Sequence, residues 1–166
     1  MSYTLLEVSN LKTHFHTAKG VVRAVDGVDF TLRKNETLAI VGESGSGKSV
    51  TALSILGLVP EPSGKIVEGE ILYAGQDLLK IGDKRMRQIR GNDISMIFQE
   101  PITSLNPFFS IGRHVREVLQ IHQGMNKTGA NRRAAEMLRM VGIADPIKSL
   151  DSYPHQLSGG MCQRIM

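Results

Sequence analysis

Between residues 42 and 49 the chain reads Gly42-Glu43-Ser44-Gly45-Ser46-Gly47-Lys48-Ser49. Glycines at 42, 45 and 47 let the backbone curl tightly and turn its N–H groups inward without a Cβ clash. Such a curl is a concave nest for an anion. An apolar run at residues 38–41 leads in, as a buried strand does. A helical pattern follows, with Val50, Leu53, Ser54, Leu56 and Gly57 on one stripe and Ile55 and Leu58 widening it. Strand, glycine loop and helix are the setting of the phosphate-binding pattern G-x-x-x-x-G-K-[ST], matched here at every specified position.

The chemistry implied by that pattern is specific. A helix starting near Lys48 adds open N–H groups and the positive end of its dipole. The Lys48 ammonium is expected at the β- and γ-phosphates of a nucleotide, and the Ser49 hydroxyl on Mg²⁺. The candidate nucleotide contacts are therefore Gly42, Glu43, Ser44, Gly45, Ser46, Gly47, Lys48, Ser49 and Val50.

The rest of the composition is compatible with such a domain. A chain of 166 residues can bury a real core. Its 41% hydrophobic and 22% charged content are those of a soluble globular protein. Its apolar runs are too short to cross a bilayer, and residues 1–7 lack the basic start and long apolar stretch of a signal peptide. The single cysteine, Cys162, excludes an internal disulfide and a cysteine metal cluster, so a reducing cytoplasm is expected. A net charge of +4 suits phosphate and demands no nucleic acid. The basic stretch at residues 80–90 has no interleaved aromatic residue, and reads as a solvated helix face.

Patterning divides the chain. Strands are predicted at residues 5–8, 12–16, 21–25, 28–32 and 37–41, with Asn35 suited to a left-handed turn before the last. Residues 59–64 break the chain, 65–73 make another strand, and 94–98 a second buried one ending in Gln99-Glu100-Pro101. Helices are predicted at 111–121 and 132–141, stopped by Gly124 and Gly142. The expectation is an α/β fold. A β-rich core over residues 1–100 carries a helical subdomain over 101–166.

A second glycine cluster lies near the end, at Leu157-Ser158-Gly159-Gly160-Met161. Ser158 is a plausible N-cap, and the two glycines permit close approach of a ligand to the N–H groups behind it. On its own this pattern also fits a plain helix start.

Taken together, the phosphate loop, the strand ending in Gln99 and the later Leu-Ser-Gly-Gly resemble the ATP-binding subunit of an ABC transporter, over essentially the whole chain. That is a P-loop NTPase fold with an antiparallel β layer and a helical subdomain. The nearest branch is that of oligopeptide and dipeptide importers, with their nickel and glutathione relatives. Its hallmarks stand at Ala24-Val25-Asp26-Gly27-Val28, in the phosphate loop with Val50-Thr51, at Phe98-Gln99-Glu100-Pro101 with Thr103-Ser104-Leu105-Asn106-Pro107, and at Tyr153-Pro154-His155-Gln156 before the signature. Met161, where most of the family has Gln, is usual in this branch; Cys162 stands where the branch usually has Arg.

The resemblance implies two such subunits sandwiching two ATP molecules head to tail. Ser158, Gly159, Gly160 and Met161 of one would meet the nucleotide held by Lys48 of the other. Gln99 would sense Mg²⁺ and the γ-phosphate, and Phe15 would stack on adenine, with a core phenylalanine as the equal alternative. The partners implied are membrane permease subunits, a second ATP-binding subunit and, indirectly, a solute-binding protein. The implied location is peripheral, on the cytoplasmic face of the cell membrane. The 166 residues do not include the family's next motif (Walker B), an apolar strand ending in Asp-Glu, or its later switch His. The sequence as given is therefore expected to bind ATP weakly and to hydrolyse it negligibly. Two alternatives are a nucleotide-binding fragment without transport activity and an ABC-type ATPase acting on DNA.

Overall fold

A computed structural model describes residues 3–98 and 104–166. They fall into two compact units, Met1–Arg90 and Gly91–Met166.

The first unit is built on an antiparallel sheet in the order β2-β1-β3-β4. Its strands are β1 (Thr4–Thr17), β2 (Gly20–Arg33), β3 (Gly64–Tyr73) and the short β4 (Gln76–Asp77). Helices α1 (Lys48–Ile55) and α2 (Asp83–Ile89) complete it. The two pairs of short strands predicted before residue 33 are two long strands of one hairpin, closed at Thr17↔Gly20. What looked like a break is an irregularity. Val8 pairs with Phe30 but Leu11 with Val28, so β1 carries one extra residue there. Asn10 takes that place in a left-handed conformation (φ 47°), and its N–H donates to Asp29 Oδ1 at 2.8 Å. A β-bulge shifts every later side chain to the opposite face. Leu6 and Val8 are buried before it, Leu11 and Thr13 after it. Opposite the bulge sits Gly69 (φ 112°), where a Cβ would come within 2.7 Å of Leu11 Cα. Asn35 is left-handed (φ 63°), as its place in the turn predicts.

Residues 37–41 and 94–98 differ from the reading of them as buried strands, Ile94 making only an isolated bridge. Neither is part of a ladder, and Val41 and Ile97 are 88% and 74% exposed. The residue types are right, but a strand is a pairing between two segments. Among the described residues nothing pairs with residues 37–41 or 95–98.

The second unit is helical: α3 (Ile111–Gln123), α4 (Lys127–Met140), α5 (Pro146–Asp151) and α6 (Gly159–Ile165), with a 3₁₀ turn at Pro154–Gln156. Each α-helix starts on a side-chain cap: Ser110, Asn126, Asp145 and Ser158 accept from backbone N–H groups of the first turn. The core collects Ile111, Leu119, Ala130, Ala134, Leu138, Ile143, Leu150 and Cys162. Ala130, Ala134 and Leu138, four apart, form the buried face of α4. Gly112 lets α3 approach α5: a Cβ there would stand 2.7 Å from the Leu150 carbonyl. Among the described residues no helix is long and apolar enough to cross a membrane.

Candidate functional site

The glycine loop occupies residues 42–47 and runs directly into α1, in the first unit. Gly45 (φ 82°) and Gly47 (φ 91°) are both in the left-handed region that side chains avoid. Space is restricted as well. A Cβ on Gly47 would collide with the Ala24 carbonyl of β2, and one on Gly42 would lie 2.6 Å from Ser46 Oγ. The loop thus backs onto the Ala24–Val25 stretch with no room for a methyl group.

Lys48 closes the loop. Its Nζ donates to the Gly42 and Glu43 carbonyls, each at 2.8 Å, and lies 3.3 Å from Ser46 Oγ. The ammonium therefore sits over the curl rather than in bulk solvent. Gly47, as N-cap, has no side chain to cap with. The N–H groups of Lys48, Ser49 and Val50 have no carbonyl one turn back to bond, which leaves them open to an anion. The Ser49 side chain is on the exposed side of the first turn.

Beneath the loop the helix is fixed by polar contacts together with Leu56 of the predicted stripe, which is buried. Thr51 and Ser54 are its buried residues, and Val50, Leu53 and Ile55 are only partly covered. Thr51 Oγ1 donates to the Gly47 carbonyl at 3.0 Å, and Ser54 Oγ to the Val50 carbonyl at 2.8 Å. Ser54 Oγ also lies 2.8 Å from Thr13 Oγ1. With the Ser54 proton committed to Val50, the Thr13 hydroxyl donates. This buried pair, 41 residues apart in sequence, anchors α1 to β1. Sequence patterning put Ser54 on the stripe but missed its partner, since nothing periodic links it to Thr13.

Phe15 is partly buried on β1, opposite Gly64 of β3. A Cβ on Gly64 would stand 2.7 Å from the Phe15 ring and 2.5 Å from Val59. Gln99 lies outside the described residues, as do Glu100, Pro101 and Thr103.

In the second unit the Ser158 side chain accepts from the Met161 N–H at 3.3 Å and starts α6, as its residue type predicts. Gly160 has open space where a Cβ would be. Arg164 holds this helix in place: its Nη1 donates to the Gly142 carbonyl at 2.8 Å, just past the end of α4. Cys162 is fully buried, its thiol 3.5 Å from the Pro154 carbonyl. It is a packing residue.

The donor set fits a polyphosphate: open backbone N–H groups, one ammonium, and a loop in which added methyl groups would clash. For a metal the chain supplies little. Among the described residues no group of three or more His, Cys, Asp or Glu is placed to hold one. A Mg²⁺ at Ser49 would take its other ligands from beyond the described residues, phosphate oxygens and water among them.

Comparison with known proteins gives a consistent picture. Residues 25–166 match the family model described as ABC transporter. An oligopeptide transport ATP-binding protein of Bacillus subtilis is 54% identical over 98% of this chain and 50% of its own length. A dipeptide transport ATP-binding protein of the same organism is 53% identical, over 98% and 48%. A probable peptide ABC transporter ATP-binding protein of Sinorhizobium fredii is 51% identical over the same shares. The chain spans about half the length of these curated relatives. Among solved structures, a dimeric ATP-binding cassette in a post-hydrolysis state, bound to ADP and Pi, superposes with a TM-score of 0.83. It is 26% identical, over 97% of this chain and 66% of that one.

Proposed function

The chain belongs to the ABC transporter family, and from that premise we propose that it acts as an ATP-binding subunit of an importer for peptides or a related small solute. The observation that carries this reading is the geometry of residues 42–50: a left-handed glycine curl, an ammonium over it, and uncapped N–H groups behind it. The names of its relatives, at 51–54% identity, supply the peptide class.

In this reading the loop wraps the triphosphate of ATP. On nucleotide binding Lys48 exchanges its bonds to the Gly42 and Glu43 carbonyls for the β- and γ-phosphate oxygens. The exchange keeps the ammonium paired throughout, so little desolvation is added. Ser49 and Gln99 would hold a Mg²⁺, which would neutralise phosphate charge when bound. Phe15 offers its ring to adenine. Ser158, Gly159, Gly160 and Met161 act on the nucleotide of a second ATP-binding subunit, whose own signature turn closes over Lys48. The β-rich core over residues 1–100 binds ATP. The helical subdomain over 101–166 carries the signature and couples to the permease subunits, on the cytoplasmic face of the cell membrane.

Titration of the purified chain with a fluorescent ATP analogue and Mg²⁺ tests the reading. Saturable binding that Lys48→Ala abolishes is expected. A well-folded chain with no Lys48-dependent signal would refute it.

A further inference from the structure

Helix α1 presents its N-terminus to the phosphate site, and its opposite end is gripped by a side chain that the nucleotide reading leaves without a role. The helix ends at Gly57 (φ 58°), with the Leu58 N–H donating to the Leu53 carbonyl at 2.8 Å and the Gly57 N–H to the Ser54 carbonyl at 3.0 Å. In such a turn the last carbonyls lack partners within the helix and carry the negative end of its dipole. Arg90 takes two of them. Its Nε donates to the Leu56 carbonyl at 2.6 Å and its Nη2 to the Gly57 carbonyl at 2.7 Å. Two nitrogens of one planar guanidinium on consecutive carbonyls is a fork that lysine cannot reproduce.

The fork is held from both sides. A Cβ on Gly57 would stand 2.8 Å from Arg90 Nη2, so the position closes around the guanidinium. Arg90 follows directly on Ile89, which is fully buried, and its N–H donates to the Met86 carbonyl at 3.0 Å. The side chain thus leaves from a fixed point. Among the described residues it pairs with no carboxylate, so its charge is committed to the helix end.

We propose that Arg90 is a positioning residue for the phosphate site: forked onto the Leu56 and Gly57 carbonyls, it fixes the axis of α1 and so the aim of the N–H groups at Lys48, Ser49 and Val50. This rests on the nucleotide reading above. The helix is short, about 12 Å at 1.5 Å per residue, and too short to be stable alone. Its direction is set by what grips it, which is the Thr13–Ser54 pair in its last turn and Arg90 just beyond its end. A tilt at Leu56 is a tilt at Lys48.

The full chain is compared with Arg90→Lys, Arg90→Ala and Lys48→Ala by titration with the fluorescent ATP analogue and Mg²⁺. Circular dichroism and thermal unfolding are followed alongside. Arg90→Lys keeps the charge and the apolar stem, and its affinity is expected to fall about tenfold, the scale of one lost charge-assisted hydrogen bond. Millimolar guanidinium is expected to restore affinity to Arg90→Ala, and ammonium is not. Amide exchange at residues 51–55, the bonded N–H groups of α1, is expected to rise in both Arg90 variants while β1 stays protected. Unchanged affinity and exchange in a folded Arg90→Lys would overturn the proposal alone. So would rescue by ammonium as well as by guanidinium. Absence of Lys48-dependent binding in the parent chain would overturn the nucleotide reading, and this proposal with it.

Discussion

At Gly47 a side chain is excluded twice, by a φ of 91° and by the Ala24 carbonyl. Gly47→Ala is therefore expected to destabilise the first unit by about 3 kcal/mol, read as a lower urea midpoint, and to weaken nucleotide binding. The Thr13–Ser54 pair gives an asymmetric expectation. Ser54→Ala leaves a fully buried Thr13 hydroxyl without an acceptor and should cost about 2 kcal/mol, while the near-isosteric Thr13→Val should cost about 1. The double variant should lose less than the sum, since no orphan remains; strict additivity in urea unfolding would show that the pair does not interact. The glycines of this site were legible because backbone geometry dictates residue type. The hydroxyl pair was not, because its partners meet only through the fold, and nothing local to residue 13 points to residue 54. Gln99, expected at Mg²⁺ and the γ-phosphate, lies outside the described residues.

Elements were legible in proportion to how locally they are determined. The hairpins, the turn at Asn35 and the Ser158 cap follow from neighbouring residues. Helix α4 starts at Lys127, five residues before the predicted start at 132, because the Asn126 cap sets its beginning. Residues 38–41 are the converse case, a strand composition without a strand. The turn after β4 carries a pH expectation. Burial pushes the Asp77 carboxyl up, but it is outweighed by the Lys80 ammonium at 2.7 Å and the Leu79 N–H at 3.0 Å, which together hold Asp77 below the usual aspartate range. A lowered folded value means that the carboxylate adds stability above the unfolded pKa of about 3.9 and loses it as pH falls through the folded one. Unfolding should therefore become easier below about pH 4. Lys80→Met should move the Asp77 titration upward when followed by NMR, and an unmoved titration would remove Lys80 as the cause.

Across the whole chain, apolar surface remains in the open. Ile40, Val41, Ile97 and Phe98 lie on segments without strand partners. Exposed apolar segments of strand-like composition invite association. The 166-residue chain is expected to bind a hydrophobic dye and to self-associate at micromolar concentration by light scattering. Val41→Lys with Ile97→Lys should reduce both; a monomer that ignores the dye would contradict this. The bulge at Asn10 has a consequence that reaches just as far. A strand counts its sides in twos, and one asparagine out of step reverses the count for everything behind it. Deleting that residue would leave the composition of β1 almost untouched, yet swing Thr13 to the wrong side and take away the footing of α1. The proposed grip on phosphate thus hangs on an odd number, kept by a residue outside the loop.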